Sequence, residues 1–310
     1  FFPLLSPSIY DACLRLNIPV IQTLHNYRII YPNGYLYHNG KIDERSINGS
    51  AYSCVIDGVY RNSIIQTFVV AKMIEYHRKK NTWNMKVGKF IALTDFAKVK
   101  FIQAGIQESK IVVKPNFVDD KTHQRYIDKR YYINYLFVGR ISEEKGILEL
   151  LRTWTNQKIK YVLNVLGTGP LYKEASTLVK DYDNINMLGH LSKDEVSKYL
   201  SNATALIFPS KWYEGFPMTI VEAFSIGIPV ITSNIGSHAS IIKDNYNGLH
   251  YKLGDDFDLK EKITKLAENN DLRDELGGNA RKTYLSKYTP EKNYQELIDI
   301  YQKAIEEKNN

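Results

Sequence analysis

Ser210-Lys211-Trp212-Tyr213-Glu214-Gly215-Phe216-Pro217-Met218-Thr219-Ile220-Val221-Glu222-Ala223-Phe224 follows the apolar run Ala203-Thr204-Ala205-Leu206-Ile207-Phe208. The run has the composition of a buried strand. Pro217 suits the first turn of a helix, where its missing N–H costs nothing, and Gly227 suits that helix's end. Pro229 then opens a further strand, Val230-Ile231-Thr232. The spacing predicts strand, loop, helix, strand: one βαβ unit carrying two glutamates. Glu214 falls in the loop at the strand's carboxyl end, and Glu222 in the second turn of the helix. Ligands bind outside strand carboxyl ends in open parallel sheets, and a helix N-terminus there attracts an anion. Two carboxylates beside an anion site suit a ligand with both phosphate and hydroxyls, such as a nucleotide sugar.

Outward from this unit, Gly139-Arg140-Ile141-Ser142-Glu143-Glu144-Lys145-Gly146 follows the strand Tyr135–Val138 and opens a helix. Arg140 and Lys145 at a strand's carboxyl end, beside a helix start, make a phosphate cradle. Gly167-Thr168-Gly169-Pro170 follows the next strand, and Gly167 and Gly169 leave room for backbone to approach a nucleotide. Tyr172 breaks the dinucleotide fingerprint, which disfavours NAD. Gly189-His190-Leu191 ends another strand, and Pro19-Val20-Ile21-Gln22-Thr23-Leu24-His25-Asn26 reads as a strand ending in a histidine. Asp181-Tyr182-Asp183 has the form of a short metal motif but reads as a solvated turn between helix and strand.

Strands are predicted near Tyr135–Val138, Tyr161–Leu166, Ile185–Leu188, Ala203–Phe208, Val230–Thr232 and Leu249–Tyr251, with helices between them. One helix is announced by the capping box Ser192-Lys193-Asp194-Glu195. Helices alone follow Asp256, the last running from Thr289 and Pro290 to about Glu307. The earlier region predicts a helix Ser8–Leu16, a strand Pro19–Leu24 and tyrosine-rich loops from Asn26 to about Ser53. Strands Phe90–Leu93 and Ile111–Val113 flank a helix Asp95–Ala104. Between loops and strands, Ile65, Phe68, Val69, Lys72, Met73 and Tyr76 recur at helical spacing. They predict a helix Ile64–Lys79 packed on the core by that face, with a basic end at Arg78-Lys79-Lys80. The same pattern also suits a bilayer surface. Three strands are few for a parallel sheet covered on both faces, which usually has more.

At 310 residues, 44% hydrophobic and 24% charged, the composition is that of a soluble globular protein with room for two domains. No run approaches a membrane span, and no signal peptide is visible. Cys13 and Cys54 lie far apart and outside metal-ligand spacing, which points to a reducing, cytoplasmic setting and no structural metal. The net charge of +7 is concentrated between Lys72 and Arg130, where fourteen Lys or Arg oppose six Asp or Glu. A basic segment suits an anionic membrane surface, and no nucleic-acid-binding motif accompanies it.

Glu214 and Glu222, inside EGFPMTIVEAFSIGIPVITS, resemble the EX7E signature of the GT4 retaining glycosyltransferases. The resemblance implies an α/β chain of GT-B fold, with two Rossmann-like domains facing across a cleft and a C-terminal helix crossing back. It implies a partial acceptor-side domain over 1–118, a linker over 119–132, a nucleotide-sugar domain over 133–288 and a crossing helix over 289–310. By the same resemblance Arg140 and Lys145 hold the donor diphosphate, Glu222 the ribose hydroxyls and Glu214 the donor sugar, while His25 contacts that sugar from the other domain. Gly139, Gly167, Gly169, Gly215, Phe216, Pro217, Met218 and Thr219 line the donor site, and His190 and Leu191 receive the base. Family members often carry Glu where Ser240 stands. Transfer with retention is implied, without a metal, a cofactor or a covalent protein nucleophile.

The expected reaction moves a sugar from a UDP- or GDP-sugar to a glycan or polyprenyl-linked acceptor in bacterial surface polysaccharide synthesis, at the inner face of the membrane. Two other classes fit the same ligands: an inactive nucleotide-sugar-binding fragment or partner subunit, and a GT-B epimerase or phosphorylase.

Overall fold

The computed structural model describes residues 6–120 and 133–309. The chain forms two units, Phe1–Asn116 with Glu291–Asn310, and Phe117–Pro290. Most of the predicted linker over 119–132 lies outside the described residues.

In the first unit α1 (Ser8–Arg15) leads to β1 (Ile21–Leu24). The segment read as loops contains a two-stranded ribbon, β2 (Tyr37–His38) and β3 (Lys41–Ile42), then α2 (Arg45–Asn48) and a 3-10 turn at Ala51–Cys54. Two of its tyrosines, Tyr27 and Tyr31, are buried, and the Tyr31 hydroxyl donates to Asp43 at 2.6 Å. Next come α3 (Ile64–Lys79), α4 (Thr82–Lys86), β4 (Lys89–Ala92), α5 (Asp95–Gln103) and β5 (Ile111–Val113). Strands β1, β4 and β5 pair in parallel with β4 in the middle.

Helix α3 corrects the sequence reading. Thr67, Val70, Ala71 and Ile74 face inward against the turn at Ala51–Cys54, while Ile65, Phe68, Val69 and Tyr76 are 46–78% exposed. Both faces carry apolar residues, and the smaller side chains of one fit the close approach of that turn.

The second unit alternates strand and helix: β6 (Asn134–Val138), α6 (Ile147–Asn156), β7 (Val162–Leu166), α7 (Tyr172–Leu178), β8 (Ile185–Gly189), α8 (Lys193–Ser201), β9 (Ala205–Phe208), α9 (Met218–Ser225), β10 (Val230–Ser233), α10 (Gly236–Ile241) and β11 (Gly248–Tyr251). Helices α11 (Asp256–Glu268) and α12 (Asn270–Lys287) follow. The six strands are parallel in the order β11-β10-β9-β6-β7-β8. Successive strand residues feed opposite cores: Tyr135, Phe137, Ala205 and Ile207 pack on one face, Leu136, Leu206 and Phe208 on the other. The capping box at Ser192 is formed as read. The last helix, α13 (Pro290–Asn309), starts at the predicted proline, and from Glu291 onward it belongs to the first unit. There the Asn293 amide donates to the Pro115 carbonyl at 2.6 Å, and Glu307 pairs with Lys89 at 2.9 Å.

Candidate functional site

The chain runs outward from β6 through β7 to β8, then returns to lay β9, β10 and β11 on the other side. The order therefore switches between β6 and β9, and loops diverging at such a point open a crevice at the strands' carboxyl ends. The loop after β6 carries Arg140 and Lys145; the loop after β9 carries Ser210, Trp212 and Glu214.

Glu214 is buried, at 6% exposure, and three donors converge on its Oε1: Lys145 Nζ at 2.7 Å, Ser210 Oγ at 2.8 Å and Trp212 Nε1 at 2.7 Å. A carboxylate taken out of water needs such donors. Lys145 Nζ also stands 5.8 Å from the Phe208 ring centroid and 5.7 Å from that of Trp212, positions that favour a cation. The Lys145 loop is drawn close by Gly146, in the left-handed region at φ +69°, where an added Cβ would lie 2.1 Å from the Pro209 carbonyl oxygen. Lys211 N donates to the Glu144 carbonyl at 2.9 Å and ties the two loops directly. Arg140 is exposed at the same end of the sheet.

Helix α9 begins at Met218, so Pro217 is the residue before the helix, at φ −81° and ψ 87°. This corrects its placement inside the first turn: with ψ in that range Pro217 turns the chain into the helix rather than belonging to it. Ile220 N donates to the Pro217 carbonyl, while the amides of Met218 and Thr219 precede the ladder. Glu222 stands in the second turn and is half-buried. Gly215 and Phe216, in the loop before the helix, are also half-buried, and the Phe216 ring meets Tyr288 edge-on at 6.1 Å.

The glycines at 167 and 169 have a cause the sequence did not disclose. A Cβ at Gly167, whose φ is +131°, would lie 1.9 Å from the Gly139 carbonyl oxygen, and one at Gly169 2.3 Å from that of Ile141. The neighbouring loop fills that space, held by Ile141 N donating to Thr168 O at 2.9 Å and Leu171 N to Ile141 O at 3.0 Å. Gly167 N also donates to Gly189 O at 2.7 Å, so the loops after β6, β7 and β8 form one rim. On it His190 is exposed and Leu191 half-buried. Asp181, Tyr182 and Asp183 are exposed in a turn before β8. His25 is exposed just past β1 in the first unit, beside a cavity of about 170 Å³ also lined by Gln22, Asn26, Arg28 and Trp83.

Sequence reasoning missed a buried layer behind Glu214. Ser233 Oγ donates to the Ser210 carbonyl at 2.7 Å and lies 2.9 Å from His238 Nε2. His238 is fully buried, tilted against Phe208 at 5.4 Å, and burial, with Lys145 and His250 nearby, pulls its pKa down to about 3. Ser210, four residues before Glu214 and directly past the strand, was the available signal; His238 sits in a helix whose spacing says nothing about Glu214. Ser240, in the same helix, donates to the Ser237 carbonyl at 2.7 Å. Among the described residues no cluster of three or more His, Cys, Asp or Glu could hold a metal ion, and no helix is long and apolar enough to cross a membrane.

Known proteins share both the sequence pattern and the architecture. The chain is 34% identical over 169 residues to an uncharacterized glycosyltransferase of Methanocaldococcus jannaschii, covering 54% of this chain and 47% of that one. It is 31% identical over 210 residues to the capsular polysaccharide biosynthesis glycosyltransferase CapM of Staphylococcus aureus, 66% of this chain and 54% of CapM. The chain thus spans about half the length of these relatives. Its fold matches Anabaena HepE, solved with UDP, at a TM-score of 0.73 and 16% identity, over 96% of this chain and 76% of HepE. That fold is GT-B. Residues 119–283 match the family of glycosyl transferases group 1, and by that match the chain belongs to this family.

Proposed function

We propose that the chain carries the donor site of a retaining glycosyltransferase that moves a sugar from a UDP- or GDP-sugar to a glycan or polyprenyl-linked acceptor. The observation that carries this reading is the Lys145–Glu214 pair at 2.7 Å, set at the switch point between β6 and β9. Lys145 and the exposed Arg140 take the diphosphate and stabilise the charge that grows on it as the anomeric carbon–oxygen bond breaks. Glu222 accepts from both ribose hydroxyls, and the amides of Met218 and Thr219 add donors for phosphate or sugar. Glu214 receives its three donors on Oε1, and its Oε2 serves the hexose hydroxyls. Gly139, Gly167, Gly169, Gly215, Phe216 and Pro217 wall the site, His190 and Leu191 receive the base, and His25 is the first unit's contact with the sugar. The acceptor enters on the face the diphosphate leaves, and no metal, cofactor or covalent protein intermediate is required.

The setting we propose is bacterial surface polysaccharide synthesis, the role in CapM's name, with the protein peripheral on the inner membrane face. The exposed apolar stripe of α3 and its basic end, Lys79 and Lys80, support a peripheral placement.

Thermal shift against UDP-, GDP- and ADP-sugars, followed by assay of nucleoside diphosphate release with a polyprenyl-phosphosugar acceptor, tests the reading. Stabilisation by one donor class and release that depends on the acceptor are expected. Binding with no release under any acceptor would sink the transferase assignment.

A further inference from the structure

We infer that Ser210 and Trp212 are positioning residues for Glu214, and that Ser233 and His238 position Ser210 in turn. The inference rests on the donor-site reading above and deepens it by saying how the sugar-facing carboxylate keeps its place. Lys145 has two claims on it: its ion pair with Glu214 at 2.7 Å, and the diphosphate. When the ammonium turns to the diphosphate, the buried Glu214 loses its cation. An unpaired buried carboxylate would swing or take up a proton unless other donors hold it. Ser210 Oγ at 2.8 Å and Trp212 Nε1 at 2.7 Å are those donors, and neither carries a formal charge for the diphosphate to attract.

The layer behind them has a determined proton order. A carbonyl oxygen only accepts, so the single Ser233 hydroxyl proton is spent on Ser210 O at 2.7 Å. Ser233 Oγ must therefore accept from His238, which fixes the N–H at Nε2. The other nitrogen, Nδ1, is buried with no hydrogen-bond partner among the described residues, which suits a bare lone pair in a neutral ring. Nε2–H to Ser233 and Ser233 to Ser210 O thus anchor the Ser210 backbone, and from that anchored residue the hydroxyl donates to Glu214 Oε1 at 2.8 Å, with the Glu144 carbonyl at 3.3 Å its more distant acceptor. Gly236, at φ +64°, lets this layer close: a Cβ there would lie 3.0 Å from the Tyr213 ring and 3.3 Å from Tyr213 Cα.

The test separates sugar from nucleotide. Calorimetry with UDP and UDP-glucose, and with GDP and GDP-mannose, is run on the wild-type chain and on Trp212→Phe, His238→Leu and His238→Gln. Trp212→Phe keeps the ring and removes the donor; Gln places an amide N–H near the Nε2 position, and Leu places none. The affinity for the free nucleoside diphosphate should stay within about twofold in Trp212→Phe. The extra affinity contributed by the sugar should fall about 10- to 100-fold, the scale of a hydrogen bond to a charged group. His238→Leu should show the same split and His238→Gln should restore most of it. If Trp212→Phe loses nucleoside diphosphate and nucleotide sugar equally, or loses neither, the positioning role is wrong while the donor site stands. If the wild-type chain binds neither pair, both readings fall together.

Discussion

A lysine paired to a buried glutamate cannot be removed without leaving a charge behind. Lys145→Met takes the cation from Glu214, which is 6% exposed, and leaves it two neutral donors. Removing one partner of a fully buried pair costs about 3–5 kcal/mol. Because the Lys145 side chain is 23% exposed, we expect about 1–3 kcal/mol in urea unfolding, together with loss of measurable nucleoside diphosphate binding. The double variant Lys145→Met, Glu214→Gln should recover most of the stability and none of the binding. His238 gives a pH signature. Burial holds its folded pKa at about 3, below the ordinary histidine value, so the unfolded chain binds the extra proton first as pH falls. Its contribution is intact above about pH 6.5 and is lost progressively below it, at about 1.4 kcal/mol per pH unit. Acid titration of stability between pH 6.5 and 5 should therefore show a shallower fall in His238→Gln than in the wild-type protein.

Elements make their own demands. Gly167→Ala puts a Cβ 1.9 Å from the Gly139 carbonyl oxygen at φ +131°, so the rim made by the loops after β6, β7 and β8 must open. We expect about 2–4 kcal/mol of destabilisation by thermal or urea melts, while Gly278→Ala, inside α12 and with no atom within 4 Å of its added Cβ, should instead stabilise by about 0.5–1 kcal/mol. Helix α3 is tested on vesicles. Phe68→Ser with Val69→Ser should abolish co-sedimentation with phosphatidylglycerol vesicles and leave the melting temperature within about 2 °C, since both side chains are about half exposed. An unchanged sediment would remove the support that α3 gives to peripheral placement. The contrast between these elements explains what could be read in advance. Strands β6 and β9 were legible because each is a continuous apolar run bounded by glycine or proline, and the EX7E spacing sits on the loop and helix that β9 must feed. Helix α3 was misread because apolar residues occupy both its faces, and periodicity does not say which face meets a partner. Ser233 and His238 left no trace in spacing, since their link to Glu214 passes across β10 and through a backbone carbonyl.

At the scale of the whole molecule, the second unit holds its sheet and both hydrophobic layers within Phe117–Pro290. A chain cut to residues 117–290 should fold with one cooperative transition and bind the free nucleoside diphosphate within about threefold of the full chain's affinity, measured by calorimetry. It should show no transfer. Loss of folding in that fragment would mean that stability is shared with the remainder. The first unit is of another kind, because its two parts come from distant stretches of sequence. Asn293, Ala304 and Glu307 of α13 pack or bond within it, so its three strands must wait unclosed until a helix made after the whole of the second unit arrives.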